Sequence, residues 1–171
     1  IHTLDLAMLI GAAITLLLAA VFTFSRQCEQ AESSVFRLHI LANSDIDSDQ
    51  ALKLALRDYL LTDLAYIFEG CESSEECAAA ASASKEEITQ KAQDFVRHSG
   101  YDYNIRCEVT DMFFSTRVYD RATLPAGEYS ALRVTVGAGA GRNWWCVIFP
   151  SLCLPAVSEL TESVYSEYSA E

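Results

Sequence analysis

The sequence predicts an α+β protein: an N-terminal membrane helix followed by one domain with a mixed β-sheet and two long helices. Three observations carry this. Leu6–Phe24 is about nineteen residues without a charge, close to the ~20 needed to cross a bilayer. Between Ser48 and Ser99 the apolar residues recur every three or four positions, the spacing that gives a helix one buried stripe. From Tyr101 onward the period drops to two, which places alternate residues on opposite faces of a strand. A strand, then helices, then a run of strands is an α+β order, with the helices expected on one face of the sheet.

Within the apolar segment only Gly11, Thr15 and Thr23 interrupt, and hydroxyls that bond back to the backbone are tolerated in a spanning helix. A cleavable signal would show a shorter apolar run and an A-x-A site, so residues 1–25 read as a transmembrane anchor or signal segment, with the anchor favoured. Ser25-Arg26-Gln27 before Cys28 lacks the small residues of a lipidation site. Residues 26–34 read as a polar linker, 35–155 as an extracytoplasmic domain, and 156–171, with four glutamates and no basic residue, as an acidic tail.

In the domain, Val35–Leu41 is rich in β formers, with Phe36, Leu38 and Ile40 on one face and Arg37 and His39 on the other. The polar stretch Ala42–Gln50 follows, and Asp47 with Gln50 three places on is a helix-start pattern. Leu52, Leu56, Tyr59, Leu60, Leu64, Ile67 and Phe68 then form one stripe of about five turns, ended by Gly70. Cys71–Cys77 reads as a turn. A second helix from about Ser74 to Ser99 presents Ile88, Ala92, Phe95 and Val96. Strands are expected at Tyr101–Thr110, Phe113–Tyr119, Tyr129–Val136 and Trp144–Phe149, with turns at Pro125-Ala126-Gly127 and Gly137–Asn143.

Charge and cysteines limit the function classes. The 12 Lys and Arg all follow Ser25 together with 23 of the 24 acidic residues, a net charge of −11 outside the apolar segment. Such a surface is a poor match for nucleic acid, whose phosphates require a basic face. The six cysteines form no C-x-x-C pair and have no histidine at metal spacing, so no zinc site is expected. An even count behind a membrane segment suits an oxidising compartment. The local pairs Cys71 with Cys77 and Cys146 with Cys153 are candidate disulfides, and free buried thiols are the alternative.

Asp45, Asp47 and Asp49 imitate the first calcium ligands of an EF-hand, but Gln50 and Leu56 stand where a glycine and a bidentate glutamate belong. Helix capping explains the same acids. Gly137-Ala138-Gly139-Ala140-Gly141 runs into the strand-like Trp144–Phe149 rather than into a helix, so it lacks the helix N-terminus that a phosphate loop uses. It reads as a glycine turn joining a strand pair. A nucleophilic cysteine needs a base, and the histidines are His2, His39 and His98. Cys146 or Cys153 with His39 is the one pairing to consider. Trp144 and Trp145 must point to opposite faces of their strand, one into the core and the other under the helices or out toward a partner.

Two blocks carry a family resemblance. Arg37-Leu38-His39-Ile40-Leu41-Ala42-Asn43-Ser44-Asp45, with Asp49-Gln50-Ala51-Leu52-Lys53-Leu54 and Arg57-Asp58, is the first. The second is Leu124-Pro125-Ala126-Gly127-Glu128-Tyr129, Ala131-Leu132-Arg133-Val134 and Gly141-Arg142-Asn143-Trp144-Trp145-Cys146-Val147, then Phe149-Pro150 and Leu152-Cys153. Together they resemble the stage II sporulation protein R family and span most of Val35–Cys153. The resemblance implies no enzyme and no cofactor. It implies a sporulation signal at the forespore membrane or secreted into the intermembrane space of the septum, where it activates a membrane-embedded aspartic protease of the mother cell that processes the sigma factor E precursor. On that basis the partner-binding candidates are Asn43, Asp45, Asp49, Arg142, Asn143 and Trp144, in two polar loops of the matching blocks, since loops carry contacts more often than core elements. The rival expectations are an extracytoplasmic thiol-dependent or hydrolytic enzyme using Cys146, Cys153 or His39, and a cell-wall-binding module using an exposed tryptophan.

Overall fold

The computed structural model describes residues 3–119 and 122–150. The first element, α1, is Thr3–Ser33, and its stretch Met8–Arg26 is long and apolar enough to cross a membrane, with none of it buried in the protein. Thr15 and Thr23 donate their hydroxyls to the carbonyls of Gly11 and Ala19, one turn back. The helix continues through most of the stretch read as a polar linker, and the Ser74 hydroxyl donates to the Ser33 carbonyl at its end.

The domain then runs β1 (Phe36–Leu41), α2 (Asp47–Thr62), a 3-10 turn (Ala65–Phe68), α3 (Ser74–Ala83), α4 (Lys85–His98), β2 (Ile105–Phe114), β3 (Arg117–Tyr119), β4 (Ala122–Leu124), β5 (Gly127–Val136) and β6 (Asn143–Phe149). The stripe predicted to make five continuous turns ends as α-helix at Thr62 and resumes as 3-10, placing Ile67 and Phe68 against the same core. The long helix predicted for Ser74–Ser99 is two helices. Its break is at Ser84, whose amide closes α3 on Ala80 and whose carbonyl opens α4 by accepting from Ile88. Ser73 caps α3, its hydroxyl accepting from the Glu76 amide, and Gly100 (φ 87°) ends α4.

Four strands form one mixed sheet in the order β2-β5-β1-β6, with β1 parallel to β5 and antiparallel to β6. This overturns the glycine-turned strand pair. β5 and β6 do not pair with each other, because β1 lies between them. Neighbouring strands are ~4.8 Å apart, so the connection must bridge ~10 Å. The segment from Gly137 to Arg142 has that reach, since each residue spans up to ~3.5 Å.

With a strand on either side, β1 is buried on both faces, including Arg37 and His39, which alternation alone would have left toward solvent. Leu38, Leu132 and Ile148 meet Leu60, Leu61 and Leu64 on the helical side. On the opposite side the Arg37 guanidinium lies 3.9 Å from the Phe114 ring centroid and 4.9 Å from that of Tyr129. A desolvated cation over a ring face contributes about 2 kcal/mol. His39 stacks on Trp145 with centroids 4.0 Å apart and planes 4° from parallel.

Burial lowers the His39 pKa from 6.5 to about 4, the charge of Arg133 adds to this, and the Asn143 side chain opposes it. The folded protein therefore holds His39 neutral while the unfolded chain protonates it between pH 6.5 and 4. This contribution to stability is complete above pH 6.5, falls as pH drops through that window, and levels off below it. His39→Gln should flatten the pH dependence of stability between pH 4 and 6.5 by up to about 1.4 kcal/mol per pH unit. Chemical unfolding of the detergent-solubilised chain at stepped pH checks this, and an unchanged slope would show that His39 does not carry it.

Candidate functional site

The two loops singled out in the sequence meet at one end of the sheet. β1 and β5 are parallel, so their carboxyl ends emerge side by side. From them leave the Ala42–Ile46 segment and the Gly137–Arg142 segment. The amides of Ala140 and Gly141 donate to the carbonyls of Asn43 and Ala42 at 3.1 and 2.9 Å. The Ala138 amide donates to Asn43 Oδ1 at 3.0 Å, and the Arg142 amide donates to Asp45 Oδ1 at 2.6 Å.

Two glycines allow this approach. A Cβ on Gly141 would collide with the backbone carbonyl of Ser44, which cannot move aside as a side chain can. Gly137 has φ +54°, and a Cβ there would meet Asn43 Oδ1. The glycines therefore serve loop-to-loop contact, a reason different from the turn between paired strands that the sequence suggested.

Beneath the contact lies Asp49, 1% exposed. Its carboxylate accepts from Asn43 Nδ2 at 2.9 Å, Ser44 Oγ at 2.6 Å and the Tyr103 hydroxyl at 2.9 Å. Burial pushes its pKa upward, but the bonds from Ser44, Asn43 and Tyr103 outweigh that and hold it below the ordinary value. The bond to Asp49 in turn raises the Tyr103 pKa. The acids expected at a helix start do stand in the first turn of α2, Asp47 and Asp49, where the positive end of the helix dipole favours them. Ile46 occupies the N-cap position with no side-chain bond to the helix end, and the Asp49 carboxylate turns back onto Asn43 and Ser44 of the loop before it.

Lys53, one turn further along α2, is also buried, and Nζ donates to Gln50 Oε1 at 2.6 Å and to the Arg142 carbonyl at 3.0 Å. Burial first, then the charge of Arg142, lowers its pKa.

The six candidate residues thus fall into two groups. Asp49 is buried, Asn43 is half-buried and bonded within the cluster, and Trp144 is half-buried with its ring 4.4 Å from the Arg57 guanidinium, which is itself paired with Asp58 at 2.6 Å. These position the loops. Asp45, Arg142 and Asn143 face solvent, with the Asp45 and Arg142 side chains 63% and 71% exposed and 3.5 Å apart at Arg142 Nε. Beside them Ile46 is 58% exposed, an apolar side chain in an acidic loop. Sequence reasoning missed Ile46, Lys53 and Tyr103. Ile46 was legible as the one apolar residue among Asn43–Gln50, whereas Tyr103 is linked to Asp49 only by folding.

The thiols are placed differently. Cys71 and Cys77 are free thiols in mutual hydrogen-bonding contact, and burial followed by that contact pushes Cys77 up to about 12. Cys146 is in disulfide form, and Cys153 lies outside the described residues. Cys146 pairs in register with Leu38, and His39 with Trp145. Alternation therefore puts the Cys146 sulfur and the His39 ring on opposite faces of the sheet, and the base and nucleophile considered for a thiol enzyme are not brought together. The tryptophans also divide between faces, Trp144 toward α2 and Trp145 against His39 and Phe114, and neither is fully exposed.

Replacing Asp49 with Ala strands three donors and should cost about 1–3 kcal/mol in chemical unfolding. Because the folded pKa is depressed, the contribution of Asp49 is fully present above the unfolded value of about 3.9 and is lost as pH falls through the folded one. The difference between the parent chain and Asp49→Ala should be constant above about pH 4 and shrink below it. A difference that does not shrink would remove the carboxylate from the account.

The family model described as stage II sporulation protein R matches residues 32–159. A curated relative, stage II sporulation protein R of Bacillus subtilis (strain 168), is 38% identical over 117 residues, which is 68% of this chain and 52% of the relative. The chain thus spans about half the length of the curated relative it matches. No solved structure matches it. The matched region contains every strand among the described residues and both loops of the cluster, and by that match this chain belongs to the stage II sporulation protein R family.

Proposed function

We propose that the chain is an extracytoplasmic sporulation signal that activates a membrane-embedded aspartic protease of the mother cell, which processes the sigma factor E precursor. It acts from the forespore side, held at the membrane or released into the intermembrane space of the septum. The observation that carries the reading is where the loop cluster stands. α1 joins the domain beside the start of β1, and the cluster stands beyond its other end. Six residues of strand separate them, about 20 Å, so the exposed Ile46, Asp45, Arg142 and Asn143 are offered away from the helix and toward a facing membrane. An apolar side chain ringed by charge fits a small protein-binding patch, in which one buried anchor dominates the energy.

Reconstitution of the full chain with the protease and the sigma factor precursor tests this by following cleavage. The parent chain should promote cleavage, and the double change Ile46→Ser with Arg142→Glu should reduce it about tenfold, the equivalent of ~1.4 kcal/mol of binding. Asp45→Asn should act more weakly, because rim charges contribute little. No cleavage with the parent chain would end the reading.

On an oxidising side of the membrane Cys71 should join Cys77, and Cys146 should join Cys153. Peptide mapping of the exported protein without reduction should find both linked pairs. Four free thiols there would place the domain in a reducing compartment instead.

A further inference from the structure

Phe113 and Val118 are 66% and 78% exposed, more than any other large apolar side chain among the described residues outside α1. Both sit where the chain leaves the main sheet for the β3–β4 hairpin, a separate two-stranded unit pairing Arg117–Tyr119 with Ala122–Leu124. The hairpin starts from Phe114 and returns to Gly127, which are partners in the sheet register. A Cβ on Gly127 would meet the Glu32 side chain of α1. The hairpin therefore projects from the end of the sheet at which α1 joins, opposite the loop cluster.

The distances are short enough to matter. Glu32 lies six residues beyond Arg26, the last residue of the apolar span, which is about 9 Å of helix rise. The headgroup layer on one side of a bilayer accounts for ~5–7 Å of this, and a three-residue strand adds ~10 Å of reach. Arg117, beside Val118, is exposed, and apolar side chains with an adjacent cation suit a surface of lipid tails under anionic headgroups.

We propose that the β3–β4 hairpin is a second membrane contact, seating Phe113 and Val118 in the lipid surface that α1 enters and Arg117 among anionic headgroups. The contact depends on α1 lying in the bilayer and not on the protease reading. Two points of attachment fix the tilt of the sheet, where a single helix would leave it free to swing.

The test uses the full chain in vesicles of phosphatidylethanolamine and phosphatidylglycerol carrying a phospholipid with a photoreactive diazirine near its headgroup. After irradiation and digestion, lipid adducts should be several-fold more abundant on the peptide spanning Phe113–Val118 than on the peptide containing Ile46, which also carries an exposed apolar side chain but lies at the far end of the sheet. Phe113→Ser with Val118→Ser should abolish the hairpin adducts and leave those on α1. Arg117→Glu should weaken them in anionic vesicles and not in purely zwitterionic ones. Hairpin labelling no greater than that of the Ile46 peptide, or cross-linking of the hairpin only to a second copy of the chain, would overturn the proposal.

Discussion

The placement of β1 between β5 and β6 is the constraint on which the rest of the structure depends. A strand with neighbours on both sides and side chains packed above and below has no exposed surface of its own, so every residue in Phe36–Ile40 must be accommodated inside. That is why an arginine and a histidine in this strand are met by aromatic rings. Phe114 and Tyr129 come from β2 and β5, and Trp145 from β6. The strand that joins the two sequence blocks thereby recruits rings from three others.

The same placement builds the loop cluster. Because β1 and β5 run in one direction, the chain leaves both at the same end, and the connection from β5 must pass over the end of β1 to reach β6. Asn43 stands where that crossing occurs, its amide group donating to Asp49 and accepting from Ala138. Buried polar groups of this kind contribute geometry more than energy, since each bond formed replaces one to water, while an unmet group costs its full desolvation. Asp49 and Lys53 hold the crossing in one shape, and the exposed residues above them inherit that shape.

Much of this was legible in the sequence, for identifiable reasons. The uncharged segment, the stripe in α2 and the alternation in β2 and β5 are local patterns with local causes. The two loops are legible because their polar and glycine residues stand inside the matching blocks. What was hidden depends on distant partners. Arg37 and His39 alternate with Phe36, Leu38 and Ile40 as solvent-facing residues would, and only the rings from other strands reverse that assignment. Tyr103 falls inside the strand expected at Tyr101–Thr110, where nothing local links its hydroxyl to Asp49, yet that hydroxyl completes the Asp49 site. The glycine-rich turn suggested a hairpin because nearby strands usually pair, and nothing within Gly137–Arg142 announces an inserted strand. The division at Ser84 carries no glycine or proline to signal it.

The strand order also bears on how the domain comes into being. β1 is the first strand of the domain to emerge from a ribosome or a translocation channel, and β5 and β6, which flank it, are the last of the described strands to follow. Arg37 must wait for Ala131 on one side and Val147 on the other. Pairings so distant in sequence form slowly, because a long loop has to close before any contact rewards it. A chain still emerging therefore has neither a finished sheet nor a loop cluster, and the surface at the far end is assembled only once Phe149 has emerged.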